Sequence, residues 1–394
     1  MSGLSLANKD LRQADFSGCV MSNMNLSGAN FREACLYACD LTNSNLNKAT
    51  FVRADLRGAQ IESADLKDAN LDSADLRSGG FSTDGQFGST AGSNVNFRGA
   101  NLAGAKLSGT LASTADFSDA IMAKVDLSGA DLRGAMFEGA DLTEAELGGA
   151  QLLGANMRST ILTGVELTDI KSSGVDLSDS ITDDNVGKSI EDLGEPLAKL
   201  IKEHRSWVAT VGKDGSQLDL SNYDLRILLS MAGEKLTALK AVGARLCGMD
   251  LTEIQLQSAN LETADFRSCF LRGADFRASS LKGARFSHCD LKNADFSPLY
   301  FETPDGKKAS ACNMDDVNMR YANCGGAKFR QASMKGANLG YADFTGADLR
   351  EADFTGANIE NAIFINARID DAVFDETPNT DPAPEREVDR SAGE

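Results

Sequence analysis

Large apolar residues recur at every fifth position along most of this 394-residue chain. From Leu11 to Phe81 each fifth residue is Leu, Phe, Met or Ile, and the residue two before it is usually Ala, Ser or Cys. We call the large residue the centre of each five-residue unit. Side chains two apart in a strand point to the same side. The small residue and the centre therefore face inward together, and the residue between them faces outward.

A turn is predicted between successive units. Ala54 and Leu56 form one inward pair, and Ala59 and Ile61 form the next. Three strand steps from Leu56 would place Ala59 on the outer side, so the backbone must turn a corner between them. A corner in every unit winds the chain into an all-β solenoid whose coils stack like the strands of a sheet.

The spacing of phenylalanines indicates how many units make one coil. Several Phe centres are twenty residues apart: Phe97, Phe117 and Phe137; Phe266 and Phe286; Phe276 and Phe296. Four units per coil would stack these rings on one face, where offset aromatic contacts are favourable. Three sides would need a spacing of fifteen, which two pairs provide: Phe16 with Phe31, and Phe329 with Phe344. The sequence therefore favours a four-sided coil.

Many units resemble the A(D/N)LXX repeat of pentapeptide repeat proteins. Examples are Ala54-Asp55-Leu56-Arg57-Gly58, Ala130-Asp131-Leu132-Arg133-Gly134 and Ala347-Asp348-Leu349-Arg350-Glu351. The resemblance covers about three quarters of the chain. It implies a right-handed quadrilateral parallel β-helix, and it implies no single activity.

The repeat is interrupted by two segments of loop composition. Centres run without a break in four blocks: Leu11–Phe81, Phe97–Leu177, Leu246–Phe296 and Met314–Phe374. The first interruption, near residues 82–94, is rich in Gly and Ser. The second, near 298–311, contains Tyr300, Phe301 and a Pro304-Asp305-Gly306 sequence that is typical of a tight turn. Both are expected to leave the solenoid and return to it.

A helical pattern replaces the repeat between Ile181 and Gly212. Apolar and aromatic residues follow a three-four spacing there: Ile190, Leu193, Leu197, Leu200, His204 and Trp207. Pro196 suits the first turn of a helix. We expect this helix to cover the open end of one solenoid, whose last coil would otherwise expose unpaired backbone groups. The alternative is that its apolar stripe pairs with another subunit.

These boundaries predict four regions. Residues 1–182 form a first solenoid, 183–213 a short helical element, and 214–375 a second solenoid that opens with an irregular coil. Residues 376–394 are charged, contain prolines and lack apolar periodicity, so they are expected to form a disordered acidic tail.

Charge and hydropathy limit the possible partners. The net charge is −19, of which residues 82–182 contribute −7 and residues 206–296 contribute zero. A uniformly acidic surface repels nucleic acid, so no direct nucleic-acid binding is expected. No apolar run is long enough for a membrane helix, and the N-terminus lacks the apolar stretch of a signal peptide. We therefore expect a cytoplasmic location without membrane contact.

The eight cysteines are predicted to be reduced. Five occupy the small inward position that Ala usually fills: Cys19, Cys39, Cys269, Cys289 and Cys312. Packing explains them, whereas disulfides would need an oxidising compartment.

No catalytic, cofactor-binding or metal-binding residues are predicted. His204 belongs to the apolar stripe of the helix, and His288 points outward without a second histidine to share a metal. The acid pairs Asp183-Asp184 and Asp315-Asp316 lie at block edges, where solvation in loops explains them. The sequence therefore predicts a protein that is not an enzyme.

Two functions fit this organisation. The first is a binding scaffold that presents solenoid faces and loops to a protein partner, with a possible homodimer through the helix or the coil ends. The second is mimicry of DNA, because some pentapeptide repeat proteins bind DNA gyrase. Residues 82–182 would then supply the acidic contact. Two solenoids split by a helix, with a neutral second half, fit that mimicry less well.

Overall fold

A computed structural model describes residues 5–79, 94–168, 170, 173–185, 187–303 and 306–381. The chain divides into two compact units, Met1–Val186 and Gly187–Glu394. We refer to their repeat regions as the first and second solenoids. Besides isolated bridges, the structure contains strands β1 (Lys188–Ser189), β2 (Tyr223–Asp224), β3 (Leu299–Thr303) and β4 (Gly306–Ser310), helix α1 (Leu197–Ala209), and 3₁₀ helices Ile190–Leu193 and Arg226–Leu228.

Parallel β-bridges join the residue before most centres to the residue twenty positions further on; at the start of the second solenoid the spacing is 21, from Asp219 to Lys240 and from Asp224 to Arg245. Asp55, for example, is bridged to Asp75, and the N–H of Leu56 donates to the carbonyl of Asp75 at 2.9 Å. Two sets of bridges span longer stretches, beginning with Gln60 to Asn96 and Ser280 to Asn313. These spacings of 36 and 33 residues mark the two interruptions, and beyond each the twenty-residue spacing resumes.

The core is a column of centres and small residues. Leu56 and Ala54 are at most 1% exposed. Rings twenty residues apart stack in parallel, with centroids 5.0 Å apart for Phe97 and Phe117 and 4.8 Å apart for Phe266 and Phe286. Phenylalanines fifteen apart meet edge-on instead: Phe16 with Phe31 at 5.8 Å, and Phe329 with Phe344 at 5.6 Å.

A left-handed residue turns each corner. The second residue after a centre adopts positive φ, +69° at Gly58, and the N–H of Ala59 donates to the carbonyl of Leu56 at 3.0 Å. The outward Asp before the centre supports this turn, because its side chain accepts a hydrogen bond two residues on. The N–H of Arg57 donates to Oδ1 of Asp55 at 3.1 Å. This local bond explains why Asp and Asn are frequent at the outward position.

Helix α1 covers the first coil of the second solenoid. Residues of the helical segment pack against the second core: Ile190, Leu193, Leu197, Leu200 and Ile201. The segment is divided, because Gly194 (φ +72°) ends the 3₁₀ helix and Pro196 immediately precedes α1. Ile190 and Leu193 therefore lie on the 3₁₀ helix and not on the α-helix that the spacing predicts.

His204 fixes α1 to the second solenoid. It is fully buried, and its Nδ1 accepts a hydrogen bond from the N–H of Leu218 at 3.0 Å. Burial lowers the pKa of His204 below its ordinary value of 6.5. Because the unfolded chain takes up the proton first, this contribution to stability is full above about pH 6.5 and is lost as the pH falls through the folded pKa.

Acidification is expected to change the fluorescence of the single tryptophan, Trp207, whose ring stacks on His204 at 5.9 Å. A titration from about pH 7.5 to pH 5 should show a midpoint below the ordinary histidine value. The variant His204→Asn should lose the transition, and His288→Asn, which changes the other histidine, should retain it. A transition that survives in His204→Asn would contradict this assignment.

Two of the predicted segments, the first loop and the tail, lie partly or wholly outside the described residues. Loop residues 82–93 lie outside them, as do residues 382–394 of the expected tail. Residues 376–381 follow the last coil, where the N–H of Asn366 donates to the carbonyl of Thr380 at 2.8 Å. The predicted region boundaries stay predictions. None of the described helices is long and apolar enough to cross a membrane.

All eight cysteines are described, and none forms a disulfide. Four of the five predicted inward thiols are buried, but Cys19 is exposed. Cys19 is exposed at its inward position because this residue lies in the first coil, where packing is incomplete. Burial raises the pKa of the Cys39 thiol to about 12.

Candidate protein-binding surface

The second interruption forms a β-hairpin that leaves the solenoid. Strands β3 and β4 pair antiparallel from Leu299 with Ser310 to Thr303 with Gly306. The pairing therefore fixes the register of β3 against β4. The sequence predicts a loop with a tight turn here, and the hairpin is a more regular structure than that.

The hairpin is attached to neighbouring coils by side-chain hydrogen bonds. The hydroxyl of Tyr300 donates to Oε1 of Gln331 at 3.3 Å. The amide of Gln331 donates in turn to Glu351, which also accepts from Nε of Arg330 at 3.0 Å. These bonds lower the pKa of Glu351. The hairpin is thereby oriented on the solenoid.

The hairpin exposes aromatic and cationic side chains together. Tyr300 and Phe301 are 55% and 48% exposed. Phe301 pairs across the hairpin with Lys308, and Lys307 pairs with Glu302. Exposed aromatic rings are typical anchors of a protein interface, whereas lysines and carboxylates lie more often at its rim.

An outward aromatic stack occupies one corner of the second solenoid. The rings of His288 and Tyr321 are parallel at 5.1 Å, and those of Tyr321 and Tyr341 at 4.9 Å. The guanidinium of Arg320 lies 5.4 Å from each tyrosine ring. His288 is thus a stacking residue. Tyr321 and Tyr341 are twenty residues apart in the sequence, but the hairpin insertion hides their spacing from His288.

The acid pairs at the block edges make structural hydrogen bonds. Asp183 accepts from the N–H of Gly164 at 3.1 Å, and Asp315 accepts from the N–H of Lys335 at 3.1 Å. Among the described residues, no group of three or more His, Cys, Asp or Glu side chains could hold a metal ion. The hairpin is therefore the candidate site that the geometry favours.

This geometry defines a solenoid protein built from short repeats, with the β3–β4 hairpin projecting from the solenoid. The chain belongs to the pentapeptide repeat family. The family model described as a pentapeptide repeat region matches residues 9–81. The model described as pentapeptide repeats (8 copies) matches residues 96–134, 113–147, 135–179, 259–297, 312–350 and 337–375. Comparison with functionally curated proteins yields no match.

Solved structures of the same family are similar to this chain at low identity. HetL, a pentapeptide repeat protein involved in heterocyst differentiation regulation from the cyanobacterium Nostoc, is 16% identical with a TM-score of 0.21; the match covers 93% of this chain and 90% of that chain. QnrB1, a plasmid-mediated fluoroquinolone resistance protein, is 22% identical with a TM-score of 0.29, covering 46% and 84%. A pentapeptide repeat protein from the Arabidopsis thaliana thylakoid lumen is 25% identical with a TM-score of 0.19, covering 39% and 70%.

Proposed function

We propose that this protein is a non-enzymatic scaffold that binds a protein partner through the β3–β4 hairpin. The observation that carries the proposal is the ordered hairpin with Tyr300 and Phe301 exposed. Burial of two aromatic side chains at an interface is a large source of binding free energy. Many outward acids hold the corners and ion pairs of the solenoid, so the proposal gives them a structural role.

Mimicry of DNA remains the second candidate, and it draws its support from the acidity of residues 82–182. One face of the first solenoid fits mimicry poorly, because arginines there pair with the Asp two residues before them; one of these pairs lies within residues 82–182 and two lie in the preceding coils. The pairs are Asp55 with Arg57, Asp75 with Arg77, and Asp131 with Arg133, at 2.6 to 2.7 Å. A row of neutralised carboxylates resembles a phosphate backbone poorly. Inhibition of gyrase supercoiling by the purified protein would test this candidate.

For the fold, we propose right-handed, four-sided β-helices separated by the short helical element. The twenty-residue bridge spacing and the aromatic stacking support four units per coil. We also propose a cytoplasmic location, which suits inward cysteines kept as thiols.

A homodimer through the coil ends is a further proposal. The apolar face of α1 packs on the second core, so the helix is less suited to contact another subunit. Inward residues of the last coil are only partly buried, and these include Ile359, Ile369 and Phe374. Sedimentation of the purified protein over a range of concentrations would test it.

Removing the hairpin is expected to abolish partner capture without unfolding the solenoid. Deleting residues 299–311 restores the twenty-residue spacing between Ser280 and Asn313. Pro298 would then occupy a corner position, where its fixed negative φ is unsuitable, so the deletion includes Pro298→Gly. The measurement is affinity capture of partners followed by mass spectrometry.

The matched control deletes residues 79–94, which restores the same spacing between Gln60 and Asn96. It should retain the partners that the hairpin deletion loses. Equal capture by both variants and the intact chain would overturn the proposed role of the hairpin.

A further inference from the structure

One face of the second solenoid carries an arginine in each of five successive coils. They are Arg226, Arg245, Arg267, Arg285 and Arg320, which we call the arginine strip. The parallel bridges Asp224 to Arg245, Arg245 to Asp265, Asp265 to Arg285 and Arg285 to Asn318 place these coils in order. The arginines alternate between the outward position before the centre and the outward position after it. They therefore form a zigzag along the face.

Cations exceed carboxylates on this face. The outward positions of the five coils contain two acids, Asp224 and Asp265, for five arginines. Arg226 makes a bidentate pair with Asp224, at 2.8 and 2.9 Å. Arg267 makes one with Asp265, at 2.9 and 2.6 Å. The other outward residues of these coils are neutral, so the strip has a local excess of three positive charges in a chain of net charge −19.

A depression of about 270 Å³ lies between Arg245 and Arg285, with Asp265 in its lining. Gly243 and Gly283 border it, and a Cβ at Gly243 would lie 2.8 Å from Oδ1 of Asn222. The missing side chains keep the depression open. Within the described part of the chain, the buried Nε of Arg245 donates no hydrogen bond.

We propose that the arginine strip binds a short acidic segment of a partner protein, with a carboxylate seated between Arg245 and Arg285. The proposal rests on the scaffold function given above and assigns it a second contact surface. The planar guanidinium fork matches a carboxylate, and charge-assisted bonds of this kind are strong. The carboxylate would also supply an acceptor for Nε of Arg245.

A short segment suits the strip better than a polyphosphate does. Acids lie close to its edge in the sequence, among them Glu262 and Asp316. A duplex is wider than one solenoid face, so it would meet these acids and the acidic remainder of the chain. An acidic peptide one strand wide can contact the partly exposed Arg245 and Arg285. Arg267 and Arg320, which are only 5% and 6% exposed, add positive charge from beneath the surface.

The test is fluorescence anisotropy of a labelled hexaglutamate peptide with the full chain at low and high salt. The double variant Arg245→Gln/Arg285→Gln should bind at least tenfold more weakly than the wild type. The matched control Lys282→Gln/Lys335→Gln, which removes two exposed lysines from another face, should bind like the wild type. Absence of wild-type binding at low salt, or equal weakening in both variants, would overturn the proposal. Tighter binding of a single-stranded oligonucleotide of equal charge would do so too.

A second variant tests the depression without changing charge. Asn tolerates positive φ, so Gly283→Asn (φ +67°) should fold and partly fill the space between the arginines. It should also weaken hexaglutamate binding, while circular dichroism of each variant matches the wild type. If the peptide fails to bind but the hairpin deletion still loses partners, the scaffold function stands and the arginine strip has no part in it.

Discussion

Replacing Phe286 by Ala is expected to lower the free energy of unfolding of the second solenoid by about 3 to 5 kcal/mol. The ring is fully buried and stacks on Phe266 at 4.8 Å. It also meets Phe276 and Phe296 edge-on, at 5.9 and 6.4 Å. The coils above and below hold the backbone in place, so the cavity cannot close by local collapse.

The matched control is Phe270→Ala, sixteen residues away in the same solenoid. Phe270 occupies the outward position and is 56% exposed. Its loss should change stability by less than about 0.5 kcal/mol. Chemical denaturation followed by circular dichroism and by Trp207 fluorescence measures both variants. Similar destabilisation by the two substitutions would contradict the inward and outward assignment of the repeat.

The repeat and the stacking of its rings could be predicted because they depend on local periodicity. Alternation within each unit separates Leu56 from Asp55, and a shared spacing brings Phe97 over Phe117. The left-handed corners could also have been found, since Gly and Asn are common two residues after a centre. These residues reach positive φ at least cost. A contact can be predicted from the sequence when the residues that make it recur at one fixed spacing.

Contacts that depend on the inserted segments could not be predicted. The hairpin insertion lengthens the spacing between neighbouring coils from twenty to 33 residues. Tyr321 and His288 are therefore not at the spacing by which the sequence reveals stacked residues. The arginine strip was hidden for a second reason, since its residues alternate between two outward positions. The division of the helical segment could have been anticipated from Gly194 and Pro196, which interrupt a helix.

A second large effect is expected at the ion pair between Asp265 and Arg267, whose side chains are 1% and 6% exposed. Replacing Asp265 by Asn leaves the Arg267 guanidinium buried without its counter-charge. Removing one partner of a buried pair costs about 3 kcal/mol or more. The matched control, Asp10→Asn, changes a pair with Arg12 in which both side chains are more than half exposed. Solvent screens that pair, so the control should have little effect on stability.

The pH dependence of stability distinguishes loss of this charge from loss of packing. Burial alone would raise the pKa of Asp265, but the charge and hydrogen bonds of Arg267 outweigh it and hold the pKa well below its usual range. The stabilising effect is therefore complete above the unfolded pKa of about 3.9 and is lost as the pH falls towards the folded value. Urea denaturation of wild type and Asp265→Asn should show the largest difference near neutral pH and a smaller one below about pH 4. A difference that stays constant down to acid pH would mean that the Asp265 carboxylate contributes shape and not charge.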